Sequence, residues 1–148
     1  MSEPRHKVEL SADVAAGPDE TFTYLTDHFG EIWPGKMEKL ADGTNEPFGL
    51  GFRRRMHTPA GKLEEEITTH DRPGLIEYVV TNGDEASIHN HLGRIELTEA
   101  PGGGTHIDYA ITYDYRPAFL GPVSVGVLKG AWGLRSKRKL RGALGSPA

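Results

Sequence analysis

From residue 48 to residue 115 the chain alternates short runs of β-forming residues with clusters of turn-forming ones, and then it changes to helical spacing. That switch limits the available folds more than any other feature. The runs are "FGLGFRRRMH", "KLEEEITTH", "LIEYVVT", "ASIHNHLGRIELT" and "THIDYAITYDY", divided by "TPAG", "DRPG", "NGDE" and "EAPGGG". Branched and aromatic residues suit a pleated backbone while Gly, Pro, Asn and Asp interrupt it, so five strands joined by short turns make an antiparallel meander. The closing segment "PAFLGPVSVGVLKGAWGLRSKRKLRGAL" places Phe119, Leu120, Val123, Val127, Ala131 and Leu134 on one stripe at helical spacing. Gly121 and Pro122 suit its start.

Upstream, "KVELSADV" sets Val8, Leu10, Ala12 and Val14 against Lys7, Glu9, Ser11 and Asp13, the two-residue period of a half-buried strand. The period then changes. Pro18, the acids Asp19 and Glu20, and Phe22 and Leu25 three apart predict a short helix over 18–27. "HFGEIWPGKMEKL" reads as a second short helix or turn carrying Trp33, broken by Pro34 and Gly35. No repeat, low-complexity tract or linker divides the chain, and 148 residues with 36% apolar content can bury a core, so residues 1–148 are expected to form one domain. The layout is α+β, with one long helix covering one curved sheet.

The stretches "VELSADVAAGPDETFTYLTD", Trp33-Pro34, "GLGFRRR", "ITTHDRPGLIEYVV" and "GRIELTEAPGGGTHIDYAITY" together make the chain resemble the SRPBCC superfamily of START-type lipid-transfer, plant-allergen-like and polyketide cyclase/dehydrase proteins. The resemblance runs over nearly the whole chain. It implies a helix-grip fold, in which a curved antiparallel sheet wraps around a long C-terminal helix and two short helices follow the first strand. These motifs are patterns of Gly, Pro and alternating apolar residues, so they speak to fold more than to chemistry, and the superfamily contains both carriers and catalysts.

A formal net charge of −4 and a pI of about 6 give the chain as a whole no electrostatic reason to bind nucleic acid, and none is expected as a partner. With no cysteine, disulfides, thiolate chemistry and cysteine-ligated zinc are excluded. "MSEPRHKVEL" lacks an apolar signal core, and no stretch approaches the roughly 20 apolar residues of a membrane span, so a cytoplasmic location is expected. The tail "RSKRKLR" concentrates Arg135, Lys137, Arg138, Lys139 and Arg141. It reads as a solvated last turn favoured by the helix dipole, or as a weak contact for an anionic membrane surface. Monomer and homodimer are both compatible with the sequence.

Chemistry has to be sought on the sheet. In "GDEASIHNHLGRIELTEAPGG" the spacing of His89, His91 and Glu96 resembles the first motif of the cupin metal barrels. Parity argues otherwise: His89 and His91 share the face of Gly93, Ile95 and Leu97, whereas Glu96 falls on the opposite face with Arg94. His106 lies off the inward set Ile107, Tyr109, Ile111 and Tyr113, so neither a metal nor another cofactor is expected. A cupin-like protein using His89 and His91 remains the lesser alternative. Gly102 to Gly104 precede a strand, so they read as a hairpin turn instead of a phosphate cradle.

Tyr78, His89, His91, Tyr109, Tyr113 and Glu65 thus carry inward parity, more polarity than a simple packed core requires. Gly126, Gly130 and Gly133 weaken the helix without filling space, which suits an internal cavity beneath it. The expected function is binding of a hydrophobic small molecule, such as a lipid, polyketide or aromatic metabolite, lined by Trp33, Tyr78, Tyr109, Ile111, Tyr113 and Val127. The alternative is a polyketide cyclase or dehydratase, with His91, set deeper than His89, or His89 or Glu65 as general base, and a tyrosine hydroxyl as acid.

Overall fold

The computed structural model describes residues 4–58 and 61–147. Strand β1 (His6–Val14) buries Val8, Leu10, Ala12 and Val14 and exposes the residues between them, as the alternation requires. Helix α1 (Pro18–Asp27) follows, with Pro18 in its first turn and Asp19 and Glu20 at the positive end of its dipole. Its face of Thr21, Phe22, Leu25 and Thr26 is buried. The segment expected to be one helix or turn divides in two: helix α2 (Phe29–Ile32), then a strand, β2 (Lys36–Ala41), which pairs with the next strand. β2 escapes sequence pattern because it is a charged, mostly exposed edge strand, the composition that keeps sheet edges from pairing with other chains.

The meander comprises β3 (Arg53–Thr58), β4 (Gly61–Asp71), β5 (Leu75–Val80), β6 (Ile88–Glu99) and β7 (Thr105–Tyr115). All pairings are antiparallel, and β1 pairs with β7, giving a seven-stranded sheet in the order β1-β7-β6-β5-β4-β3-β2. A helical turn, α3 (Gly83–Ala86), stands where "NGDE" was expected to be a simple turn. Gly102 and Gly103 adopt φ of 90° and 91°, as the hairpin reading demands. The turn expected at "TPAG" falls partly on residues 59–60, outside the described residues.

After a 3₁₀ turn (Ala118–Leu120) come α4 (Gly121–Ala131), a π turn (Trp132–Ser136) and α5 (Lys137–Leu144), forming one helical segment along β1. Of the expected stripe only Ala131 packs against the core, beside Val125 and Leu128; the rest of the contact face is a different one. Trp132 Nε1–H donates to the Ser11 carbonyl at 2.9 Å, the Ser136 hydroxyl donates to the Ile32 carbonyl at 2.6 Å, Gly121 lies against His6, and Leu140 and Leu144 are buried. The N–H groups of Ala15 and Ala16 donate to the carbonyls of Gly145 and Leu144 and tie down the end.

Phe119, Leu120, Val123, Val127 and Leu134 face away from the sheet and are exposed. Two features hid this. The true contact face includes Gly121, Ser124 and Ser136, which a hydropathy stripe passes over, and the π turn underwinds the backbone, which keeps Trp132, Ser136, Leu140 and Leu144 near one face at a spacing of four. Gly126, Gly130 and Gly133 do not border the sheet either, since a Cβ at any of them would meet none of the other described residues.

Candidate functional site

Burial on the inner face of the sheet decreases from one end to the other. At one end Ala12, Val14, Ile76, Ile95, Leu97 and Ile107 are buried in the core that α1 and α5 close with Phe22, Leu25, Leu140 and Leu144. At the other end Leu63, Val80, Ile88, His91 and Tyr115 are only partly buried. Between them lies a layer of polar and aromatic groups.

Its centre is Arg54. Alternation along "FRRRM" sends Phe52, Arg54 and Met56 inward and Arg53 and Arg55 outward, and pairing of β3 with β4 sets Arg54 opposite Glu65. Arg54 Nε–H donates to Glu65 Oε1 at 2.8 Å with both side chains buried. The guanidinium lies over the rings of Phe29, at 3.9 Å, and Tyr78, at 4.7 Å, so two π faces offset part of the cost of desolvating the cation. Arg54 Nη2 is buried with no acceptor among the described residues. Burial raises the Glu65 carboxyl above the usual range, against the attraction of Arg54.

The hydroxyls of Tyr78 and Tyr109 are hydrogen-bonded to each other, and burial raises the pKa of both. Tyr78 can lie across β6 because its neighbour there is Gly93: any Cβ at that position would collide with the phenol ring. Trp33 packs at 6.0 Å from Tyr109 and 5.9 Å from Trp132. The rings of Phe29, Trp33, Tyr78, Tyr109 and Trp132 pack on one another over this layer, between the sheet and the C-terminal segment. Two shallow concavities mark the surface, one on the outer face of the sheet among Lys7, Glu9, Arg94, Glu96 and Asp108, the other beside α2 at Asp27, His28, Gly30, Glu31 and Met37.

The two histidines separate. Between His89, opposite Asp114, and Leu92, opposite Thr112, β6 spends one residue more than β7, a β-bulge centred on Asn90 with φ 53°. The extra residue flips parity, so His89, expected inside, points outward and sits 2.9 Å from Asp84 Oδ1. His91 stays inside, 5.4 Å from the Tyr78 ring. The two imidazoles cannot converge on one ion, which removes the donor pair of the cupin-like alternative, and no group of three or more metal-ligating side chains occurs among the described residues.

His91, the residue expected as a base, is uncharged in this environment. The Val80 N–H donates to Nδ1 at 3.1 Å, so the neutral ring carries its proton on Nε2, and burial together with nearby Arg54 pushes its pKa down to about 4. At neutral pH the ring is uncharged, with Nδ1 taken up by the Val80 N–H and Nε2–H left as a donor. Of the remaining expected lining residues, Tyr109 and Ile111 are buried on the inner face, and the Tyr113 hydroxyl donates to Ser124 Oγ at 2.7 Å, whose own proton goes to the Gly121 carbonyl. Val127 is exposed on the far side of α4 and lines nothing here.

A curved antiparallel sheet closed by a long C-terminal helix, with ionisable groups buried between, defines the helix-grip class. Residues 5–143 match the family described as polyketide cyclase/dehydrase and lipid transport, and the chain belongs to it. No curated protein gives a significant match in sequence. Among solved structures, a protein from Mesorhizobium loti is 19% identical with a TM-score of 0.69, over 94% of this chain and 96% of that one. Norcoclaurine synthase from Thalictrum flavum, in complex with a transition-state analogue, is 17% identical with a TM-score of 0.66, over 97% and 98%. The Aha1 dimer from Colwellia psychrerythraea is 11% identical with a TM-score of 0.67, over 96% and 99%. At such identities these likenesses establish the shared fold.

Proposed function

We propose that the protein binds an apolar small molecule that carries an oxygen acceptor, a ketone, phenolate or carboxylate, held between the sheet and the C-terminal helix with that oxygen on Arg54 Nη2. The unpartnered, buried Nη2 carries the reading. A buried donor without an acceptor costs roughly 1–3 kcal/mol, which a ligand oxygen would recover, and the surrounding rings of Phe29, Tyr78 and Tyr109 suit an apolar or aromatic body. His91, beside the Tyr78 ring, keeps Nε2–H as a second donor on the inner face. The ligand would pass the half-buried rim of Leu63, Val80, Ile88 and Tyr115 and press on the rings packed over that layer. Family membership supports the ligand class, since lipids and polyketides both pair an apolar chain with carbonyl oxygens.

A catalytic version has one observation in its favour: Glu65 is buried with a raised pKa beside the hydroxyl-bonded pair of Tyr78 and Tyr109, an arrangement able to exchange protons with a bound ketone. Norcoclaurine synthase shows that the fold supports synthesis, but binding is the step both versions share.

The test compares 2-naphthoate with naphthalene, which share an apolar body and differ by a carboxylate. Binding of naphthoate is expected to be about tenfold tighter or more, and the preference should vanish in the doubly substituted Arg54→Met/Glu65→Leu protein, which removes donor and partner together. Equal affinities in the unsubstituted protein, or no binding of either, would refute the reading.

A further inference from the structure

Six large apolar side chains are exposed among the described residues, and five of them lie on the C-terminal helical segment: Phe119 at 78%, Leu120 at 37%, Val123 at 59%, Val127 at 64% and Leu134 at 79%. Phe119, Val123 and Val127 follow one another at a spacing of four along the outward side, while the inward side is committed to β1 through Trp132, Ser136 and Leu140. An apolar row of this kind is unusual on a surface that meets only water. The same segment, from Arg116 to Leu144, carries no Asp or Glu, although the chain as a whole is at −4. Its cations gather at the C-terminal end, where Arg135, Arg138, Lys139 and Arg141 are exposed.

We infer that this outward face docks on the surface of an anionic lipid bilayer. The apolar row enters the acyl boundary and the cations of α5 lie over the headgroup phosphates. The charge pattern selects this occupant. A second copy offering the same face would cover the apolar row but bring further cations and no carboxylate to meet those already there, so half of the surface would gain nothing. An anionic bilayer answers both halves at once, as it does for interfacial helices that are apolar on one side and rich in Lys and Arg. Gly121 to Leu144 spans about 36 Å at helical rise, long enough to rest in the plane of the interface while the sheet stays above it.

The experiment is co-sedimentation with vesicles of phosphatidylcholine alone and of an equimolar mixture with phosphatidylserine. Roughly tenfold more protein should sediment with the mixed vesicles, and added salt should release it. Val123→Asp with Leu134→Asp, and separately Arg138→Glu with Lys139→Glu, should each reduce binding to the level seen on phosphatidylcholine; these residues are exposed, so the fold survives, and naphthoate affinity should be unchanged in both pairs. Equal sedimentation with both vesicle types, or none with either, would overturn the inference. So would a concentration-dependent dimer that Val123→Asp with Leu134→Asp dissolves, because the row would then belong to a second copy.

Discussion

Arg54 and His91 carry most of what is specific to this chain at the scale of single residues. Arg54→Met alone would strand the buried Glu65 carboxylate and is expected to cost about 3–5 kcal/mol, whereas Arg54→Met/Glu65→Leu should recover most of the loss, because well-packed apolar replacements avoid the desolvation of both charges. Urea midpoints of the three proteins decide this, and a single substitution as benign as the double one would mean that the pair is not buried in solution. His91 sets a pH dependence with a definite sign. Its pKa falls from 6.5 in the free chain to about 4 in the fold, so between those values the unfolded chain binds a proton that the folded chain refuses. Stability should therefore drop as pH falls through that window, by up to roughly 3 kcal/mol, and His91→Phe should lessen the drop between pH 7 and about 4.5. An acid response identical in both proteins would contradict the burial of this ring. The inward arginine was legible in the sequence, since Arg54 shares the parity of Phe52 and Met56 and lies across the hairpin from Glu65, although arginine is seldom a core residue unless it is paired. His89 was not legible, because asparagine tolerates a positive φ without requiring one, so "SIHNHLG" does not fix that Asn90 turns the strand over.

At the scale of elements, the sequence shows those whose burial follows a simple period. β1 and α1 appear within a residue of their expected bounds, as their apolar faces are uninterrupted. β2 and the phase of the C-terminal helix stay hidden, the first because an edge strand need not alternate, the second because glycine and serine make up part of the packed face. The helix offers a direct check on its orientation. Glycine within a helix costs about 0.5–1 kcal/mol relative to alanine, and Gly126 and Gly130 face open space, so Gly126→Ala and Gly130→Ala should each raise stability by about that amount. Thermal melting provides the measurement. A lowered melting temperature would show that these glycines touch another surface and that the helix lies the other way round.

For the whole molecule, the sheet and its closing helix form a grip that is filled at one end and half-open at the other, with an ion pair and two joined phenols suspended between. The general plan was readable from the order of elements. The packing of the interior was not, because parity tells which side chains point inward but not that the rings of Trp33, just after α2, and Trp132 meet over them. In the proposed binding mode a ligand would press on those rings, so the indoles of Trp33 and Trp132, the chain's two tryptophans, would report on it together with the Arg54 side chain. The most direct test follows the indole N–H and arginine Nε–H signals by nuclear magnetic resonance during titration with 2-naphthoate. The account predicts that the Arg54 Nε–H and both indole signals move together and saturate at one equivalent; movement confined to the exposed arginines of α5, with the Arg54 and indole signals unchanged, would contradict it.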